Sequence, residues 1–435
     1  MYSTKTEAES LFPSASPSVA SCSGRLQGKR VAMVMFSYYP DDPRPRRALD
    51  ALVREGMVVD LICLRGEDSP GREVQGSVDV FRVPLKRRRS GMLAYLYQYA
   101  AFILISSAIL ALRSITRGYD LVYVHNMPDI LVLSALVPKA LGAKVILDLH
   151  DPMPELMMTI FKLQKDSLGV RLLRRIEKWS IARANSVVTV SVTFKRVFSA
   201  RSCRPEKIEV VMNSPDGEIF PFRTPPSLIS GGQPRHEPFV IMYHGSLVER
   251  NGLDLAVEAL ALVRQTLPAA ELRIYGPSTP FLDRVMSAVK DKGLEEAVHY
   301  LGPRQLEDLV GEIENCDVGV IPNHRNSFTD INTPTRIFEY LALGKPVVAP
   351  RTSGIQDYFS KDSLVFFDPG DAEDMARSIA YVFFHPADVT EIVRRGQEVF
   401  REHSWQNERQ RLVTLVEGLL DKENYASRFH GEAVV

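Results

Sequence analysis

Residues 333–348 read Thr-Pro-Thr-Arg-Ile-Phe-Glu-Tyr-Leu-Ala-Leu-Gly-Lys-Pro-Val-Val. Pro334 suits a first helical position, where its missing N–H is no loss. We therefore read 334–343 as a helix and 346–349 as the strand that follows. The same beat runs outward. Upstream lie strands at 239–243, 271–275, 298–301 and 318–321, with helices at 252–266, 280–292 and 305–315 between them; helices follow Pro369 downstream. Strand alternating with helix implies a parallel sheet. Before this half stands a Pro/Gly/Ser-rich stretch from Pro221 to Pro238, including Pro225-Pro226 and Gly231-Gly232, which reads as a linker. Before the linker the alternation appears once already: strands at 30–36, 58–64, 78–83, 121–125, 144–149, 186–190 and 208–212, helices at 44–55, 90–112, 128–141 and 168–184. These strands are near-continuous Val/Ile/Leu runs, as expected when both faces of a sheet are covered. Two doubly wound α/β domains facing a central cleft follow, with ligands expected outside the carboxyl ends of the strands. The expected division is a disordered tail at 1–28, a first domain at 29–222, a linker at 223–238 and a second domain at 239–402. A C-terminal helix at 403–423 crosses back onto the first domain, and 424–435 is a tail.

Composition narrows the class. A chain of 435 residues is too long for one usual core, and two domains are the natural division. Lys+Arg and Asp+Glu are both 53, so no net field favours nucleic acid. Cys22, Cys63, Cys203 and Cys316 lie far apart without metal-like spacing, which suits reduced thiols in a cytoplasmic protein. The Ser/Pro/Ala-rich first two dozen residues lack the apolar run of a signal peptide. One segment, 90–112, carries no charge and follows Lys86, Arg87, Arg88 and Arg89. It exceeds the roughly 20 residues that span a bilayer, yet strands on both sides of it must share one sheet. Three readings stand open: a membrane span, a buried core helix, or a helix lying in the membrane interface. The third sets the basic run on anionic headgroups and Tyr95, Tyr97 and Tyr99 at the polar boundary.

The motifs narrow it further. No G-x-G-x-x-G follows the first strand, and Walker, H-E-x-x-H, G-x-S-x-G and D-x-D patterns are absent. A phosphate site without a metal relies on Arg, Lys and helix amino termini. Residues 244–252, His-Gly-Ser-Leu-Val-Glu-Arg-Asn-Gly, supply candidates: glycines let a backbone approach a phosphate, Arg250 can clamp it, and a helix starts there. The plainer reading is a strand-to-helix turn with a surface Arg. Glu339, one and a half turns into the 334–343 helix, can accept two hydrogen bonds from a ribose diol; the plainer reading is a carboxylate complementing the helix dipole. In the first half, His125-Asn126-Met127-Pro128-Asp129 and Asp148-Leu149-His150-Asp151-Pro152-Met153-Pro154-Glu155 end two strands. Their histidines can equally cap strands, and their aspartates can pair with Arg or cap turns. Arg44, Arg46 and Arg47 can be a solvated helix start.

The 333–348 run and the 245–252 loop resemble the GT-B glycosyltransferases of the large retaining family four, with two Rossmann-like domains, and the likeness runs from about Arg30 to Trp405. The resemblance implies that Glu339 holds the donor ribose. It implies that Arg250 meets the diphosphate with Gly245, Ser246, Asn251, Thr335 and Arg336 around it. His150 approaches the donor sugar, while Arg44, Arg46, Arg47, His125 and Asn126 face the acceptor side, and Asn213 and Asp216 sit near the hinge. It implies no cofactor and a nucleotide-sugar donor with UDP ahead of GDP. The missing D-x-D pair implies no metal site, and the apolar helix with its basic run suggests a glycan or lipid-linked acceptor at the cytoplasmic face of a membrane, as in exopolysaccharide assembly. Two departures stand out. Ser246 and Asn251 occupy loop positions where the family commonly has Arg and Lys, and Ile331 replaces a second Glu, with Asp330 adjacent as a substitute. A same-fold sugar-nucleotide epimerase, a phosphorylase, or a non-catalytic scaffold are the alternatives; for a phosphorylase, Lys345 before Pro346 is a poor cofactor lysine.

Overall fold

The structure, a computed structural model, describes residues 26–85, 92–225 and 238–421. Cys22 and the tail up to residue 25, the basic run Lys86–Arg89, residues 226–237 of the expected linker, the tail at 424–435 and the side chain of Tyr95 lie outside the described residues.

The first sheet contains β1 (Arg30–Tyr38), β2 (Val58–Leu64), β3 (Arg72–Gln75), β4 (Val78–Val83), β5 (Leu121–His125), β6 (Lys144–Leu149), β7 (Ser186–Thr189) and β8 (Ile208–Val210). Their order is β3-β4-β2-β1-β5-β6-β7-β8. All neighbours run parallel except β3 against β4. The second sheet contains β9 (Phe239–His244), β10 (Ala270–Tyr275), β11 (Val298–Gly302), β12 (Val318–Val320), β13 (Val347–Pro350) and β14 (Val365–Phe367). It is parallel throughout, in the order β11-β10-β9-β12-β13-β14. The β5 and β9 side chains are all buried, because helices cover both faces.

Strand order reverses at β1/β5 in the first sheet and at β9/β12 in the second. Such switch points open crevices at the carboxyl ends of strands. Here the two crevices face each other. Phe328 of the second domain packs into the first domain's core near Phe194, with ring centres 6.2 Å apart. Thr159 Oγ1 donates to Asn326 Oδ1 at 2.9 Å, and the Val192 N–H donates to the Tyr358 hydroxyl at 2.9 Å. Asp357 accepts from both Thr193 and Arg196. The cleft is thus closed. At its far side the Trp405–Leu420 helix places Leu412, Val413, Val416 and Leu419 in one apolar cluster with Ala48, Leu49 and Leu52. Its buried Glu408 accepts the Met212 N–H at 2.8 Å and sits 3.0 Å from His403.

Besides the helices Met153–Phe161 and Val192–Arg201 and the strand β14, which the sequence reading lacks, three elements of the first domain differ from it. β3 is a polar edge strand, Arg-Glu-Val-Gln, joined to β4 by a turn with Gly76 at φ +58°. The helix expected at 128–141 is a 3₁₀ segment, Asp129–Ala135, followed by one short α-turn, Leu136–Ala140. The apolar helix runs Met92–Thr116, past the expected end at 112. Arg113 in its last turn bonds Asp60 at 2.6 and 2.9 Å and Asp79 at 3.1 Å, and Phe102 and Leu110 enter the core. The helix therefore lies along the sheet. Its opposite face is bare: Tyr97, Leu104, Leu112 and Ile115 are 66–75% exposed.

Candidate active site

The second-domain wall begins where β9 ends. Gly245 has φ +120°, and its N–H donates to the Tyr275 carbonyl at 3.0 Å. A Cβ on it would touch Arg336 Cδ at 3.4 Å, so the glycine leaves room for that side chain. Gly252, at φ +70°, ends the loop, where a Cβ would lie 1.8 Å from the Pro322 carbonyl. Between them Asn251 donates to the Ser246 carbonyl at 2.8 Å, as does the Tyr243 hydroxyl at 2.9 Å. Asn251 thus braces the loop it belongs to. Burial lowers the Arg250 guanidinium pKa, opposed by Asp151 of the first domain.

The second piece of this wall is a helix, Arg336–Ala342, with Thr335 as its N-cap. It starts two residues later than expected and makes only two turns, so side chains rather than a dipole dominate its charge. Tyr340 anchors it: the hydroxyl donates to the Met242 carbonyl at 2.9 Å, and the ring fills the space over Gly319, where a Cβ would come within 2.4 Å. Ile337, Phe338 and Leu341 turn into the core. That leaves Arg336 and Glu339, three residues apart, on one face. Arg336 Nη1 donates to the His244 carbonyl at 2.7 Å, and Nη2 reaches Asn323 Oδ1 at 3.3 Å. Its guanidinium stands 4.6 Å over the Tyr243 ring.

Glu339 is 14% exposed, with Oε2 3.4 Å from His244 Nε2. Burial raises its carboxyl pKa to about 7, against the pull of Arg336 and of Arg47 from the other domain. Burial, reinforced by Arg336, pushes His244 well below the usual imidazole range. His244 is therefore neutral and gives the carboxylate no counter-charge. Asp330 is committed elsewhere: Arg325 lies 3.0 Å away and Ser353 Oγ donates to it at 2.7 Å. Ile331 packs against the first domain's core.

The first-domain wall is built on β5 and β6, which pair His125 with Asp148 in register. His125 Nδ1 lies 3.1 Å from His150 Nε2 and 3.2 Å from Asp148 Oδ2. The Tyr123 hydroxyl donates to the same Oδ2 at 3.0 Å. His125 is 1% exposed and stands behind His150, away from open cleft. Asn126 is a brace: its Oδ1 accepts the His150 N–H at 2.8 Å, and its Nδ2 donates to Asp129 and to the Asp151 carbonyl. Arg44 pairs with Asp42 at 3.1 Å and reaches Asp151 at 3.9 Å. Arg47, one turn on, donates to the Ser214 carbonyl and lies 5.6 Å from the Trp405 ring centre. Burial depresses the Arg47 pKa to about 10, with Glu339 the foremost opposing charge. Arg46 differs: it is 51% exposed and pairs with Asp50 at 3.8 Å on the outer face. A narrow cavity at these strand ends is lined by Arg44, Arg47, Asp148, His150, Asn213 and Trp405.

The sequence reading singled out His150, Arg336 and Glu339 but gave no part to Tyr123 and did not join Asp148 to the histidines. Asp148 near the end of β6 and His150 just past it are two residues apart, the spacing that returns to one face of an extended chain, and that was the available signal.

Comparison with known proteins agrees with this architecture. The family model described as "Glycosyl transferases group 1" matches residues 238–383, and "Glycosyl transferase 4-like domain" matches 43–214. The amylovoran biosynthesis glycosyltransferase AmsK of Erwinia amylovora is 25% identical over 197 residues, 45% of this chain and 46% of that protein. The chain thus matches under half the length of that relative. The probable glycosyltransferase WbjE of Pseudomonas aeruginosa is 22% identical over 306 residues, 69% of this chain and 74% of that protein. Among solved structures, sucrose-phosphate synthase from Thermosynechococcus elongatus superposes with TM-score 0.70 at 18% identity, covering 90% of this chain and 99% of its own. Anabaena HepE, in complex with UDP-glucose, gives TM-score 0.60 at 18% identity, covering 92% and 99%. With both halves of the cleft matched by these family models, the chain belongs to the group 1 glycosyl transferases and is a glycosyltransferase of GT-B fold.

Proposed function

We propose that this enzyme moves a sugar, with retention, from a nucleotide donor to a membrane-borne glycan acceptor in polysaccharide assembly, and that UDP is the preferred nucleotide over GDP. One observation carries the reading: Arg336 and Glu339 share one helix face, with the cation over Gly245 and the carboxylate in the same wall. Glu339 accepts hydrogen bonds from the ribose diol. Arg336, helped by Arg250 from the loop, takes the diphosphate, with Ser246 and the Thr335 cap alongside. The hard step is departure of the nucleoside diphosphate, and fixed cations in a water-poor site stabilise the charge that develops on it. The acceptor hydroxyl attacks from the face the phosphate leaves and passes its proton to that phosphate, so no protein nucleophile is needed. His150 orients the donor sugar. Arg44 and Arg47 stand on the acceptor side, and closure of the domains excludes water. The UDP and UDP-glucose complexes of HepE support the donor assignment, and the amylovoran relative supports the pathway class.

The guanidinium groups supply the charge that a divalent ion would otherwise supply, so the site works without metal. UDP, GDP and ADP, tested by thermal shift with and without EDTA, check both points. UDP at about a hundred times its Kd should stabilise the fold by about 2.7 kcal/mol, unchanged by EDTA. No shift with any of the three nucleotides removes the donor assignment.

The bare face of the Met92–Thr116 helix supports an acceptor held at a membrane. Leu104 and Leu112 on that face, and Leu141 beside it, are at least 60% exposed, and Lys86–Arg89 precede the helix in sequence. Apolar area for the acyl boundary next to charge for anionic headgroups is the pattern of an interfacial helix, which suits a cytoplasmic, peripheral enzyme. In vesicle sedimentation we expect binding to phosphatidylglycerol vesicles. Leu104→Glu with Leu112→Glu should weaken it at least about tenfold, the effect of 1.4 kcal/mol, while the UDP thermal shift stays. Wild-type protein left in the supernatant would exclude the membrane assignment.

A further inference from the structure

The contact between His125 and His150 holds information about where one proton sits. The two imidazole planes differ by 4°, and their centres are 5.4 Å apart. The 3.1 Å from Nδ1 of His125 to Nε2 of His150, plus the two ring radii, makes up that whole separation. The rings therefore meet edge to edge in one plane, the geometry of a linear N–H···N hydrogen bond. Two nitrogens that close share one proton, and it is carried by one ring or the other.

Asp148 decides which. Its Oδ2 lies 3.2 Å from His125 Nδ1 but 3.7 Å from His150 Nε2. Burial raises the Asp148 carboxyl pKa, but the edge of the His125 ring and the Tyr123 hydroxyl, both turned to the carboxyl, hold it below the usual range, and it stays ionised. A carboxylate 3.2 Å from a bare nitrogen lone pair is repelled, and a proton on that nitrogen turns the repulsion into attraction. The proton therefore sits on His125 Nδ1, pointing at the His150 lone pair with the carboxylate to one side. His150 Nε2 is then an acceptor. Burial pushes the His150 pKa down to about 4 despite Asp148, so the ring is neutral and carries one proton, on Nδ1. Nδ1 of His150 is buried with no partner, on a ring that lines the cavity at the strand ends.

We propose that Asp148, acting through His125, fixes the tautomer of His150 so that its Nδ1–H is a hydrogen-bond donor held ready for an oxygen of the donor sugar. Asp148 and His125 are positioning residues in this scheme, and Tyr123 holds the carboxylate by its hydroxyl. His150 is a neutral donor and takes no proton from the acceptor. The inference rests on the glycosyl-transfer reading only for what the N–H meets; the tautomer itself belongs to the unliganded protein. A divalent cation among His125, Asp148 and His150 is the competing arrangement, since their ligand atoms lie within 4.8 Å of one another. Metal-bound imidazoles donate their outer N–H to a partner. Here His125 Nε2 and His150 Nδ1 have none, which favours the shared proton.

The test is nitrogen NMR on the full chain labelled with ¹⁵N-histidine, with His150→Gln to assign the ring. We expect His150 to show a protonated Nδ1 and a bare Nε2 without any ligand, and elemental analysis to show no bound transition metal. In Asp148→Asn the His150 proton should redistribute toward Nε2. Release of nucleoside diphosphate from a mixture of UDP-glucose and GDP-mannose should then drop about 10- to 100-fold, the usual cost of losing an orienting partner. The thermal shift with UDP should remain, because the ribose and diphosphate sites lie on the other domain. A proton on Nε2 in the wild-type protein, or one equivalent of tightly held metal, overturns the proposal even if Asp148→Asn does not fold. Loss of all nucleotide binding in wild type sinks the transfer reading and leaves the tautomer result standing.

Discussion

Glu339→Ala is expected to abolish most sugar transfer while the fold survives. A carboxylate that accepts two hydroxyl hydrogen bonds contributes about 1.5–3 kcal/mol through each, so kcat/KM should fall about 10²- to 10⁴-fold. The fold should not suffer, because burial makes this carboxylate a burden to the empty protein. Its pKa of about 7 lies above the ordinary carboxyl value of 4.5. Protonation therefore favours the folded state: that stabilisation is complete below the unfolded carboxyl pKa and is lost as pH rises through 7. At about 1.4 kcal/mol per unit the loss is about 3 kcal/mol. Ribose binding needs the ionised form, so donor affinity runs the opposite way. The Tm of the free enzyme should fall between pH 5 and 8 while the added shift from UDP grows, and Glu339→Gln should flatten the first trend and erase the second. Wild-type transfer in Glu339→Ala, or a UDP shift independent of pH, would remove the ribose role.

Most of the scaffold behind this carboxylate is legible in the chain because burial on both faces leaves a plain mark. β5, Leu-Val-Tyr-Val-His, and β9, Phe-Val-Ile-Met-Tyr-His, are apolar almost to their last residue, and a polar side chain arrives only where the strand meets the cleft. β3 lacks that mark: an edge strand has one unpaired side and half-exposed residues, so Arg-Glu-Val-Gln looks like loop. At the site, residue type is readable but direction is not. Three arginines at the first helix look equivalent in sequence, yet helical spacing puts 44 and 47 on one face and 46 with 50 on another, and only the first pair reaches the cleft. His125 and Asn126 carry the chemistry of a site and serve as supports, because strand pairing sets His125 beside Asp148 and behind His150. A pairing between strands far apart in sequence leaves no local trace.

The same limit explains the loop departures, and it sets up the second large effect. Ser246 and Asn251 leave the loop itself with Arg250 as its sole cation between Gly245 and Gly252, which on its own favours a scaffold without activity. The fold brings a cation in from elsewhere. Arg336 lies against Gly245 and binds the carbonyl of His244, 92 residues earlier in the chain, so its charge stands over the turn. Two of its five N–H donors are used inside the protein, and the rest of the fork is free for phosphate oxygens. Arg336→Ala should therefore cut turnover about 10²- to 10³-fold, the cost of removing one preorganised charge-stabilising donor, and weaken UDP far more than uridine, which lacks the diphosphate. Arg336→Lys keeps the charge but not the fork and should recover only part of the loss. If Arg336 stands in for the missing loop cations, Ser246→Arg with Asn251→Lys should rescue Arg336→Ala, measured as UDP affinity and as turnover together. Equal losses for uridine and UDP in Arg336→Ala would mean that the guanidinium only braces β9, and the diphosphate would then have to be held by Arg250 alone.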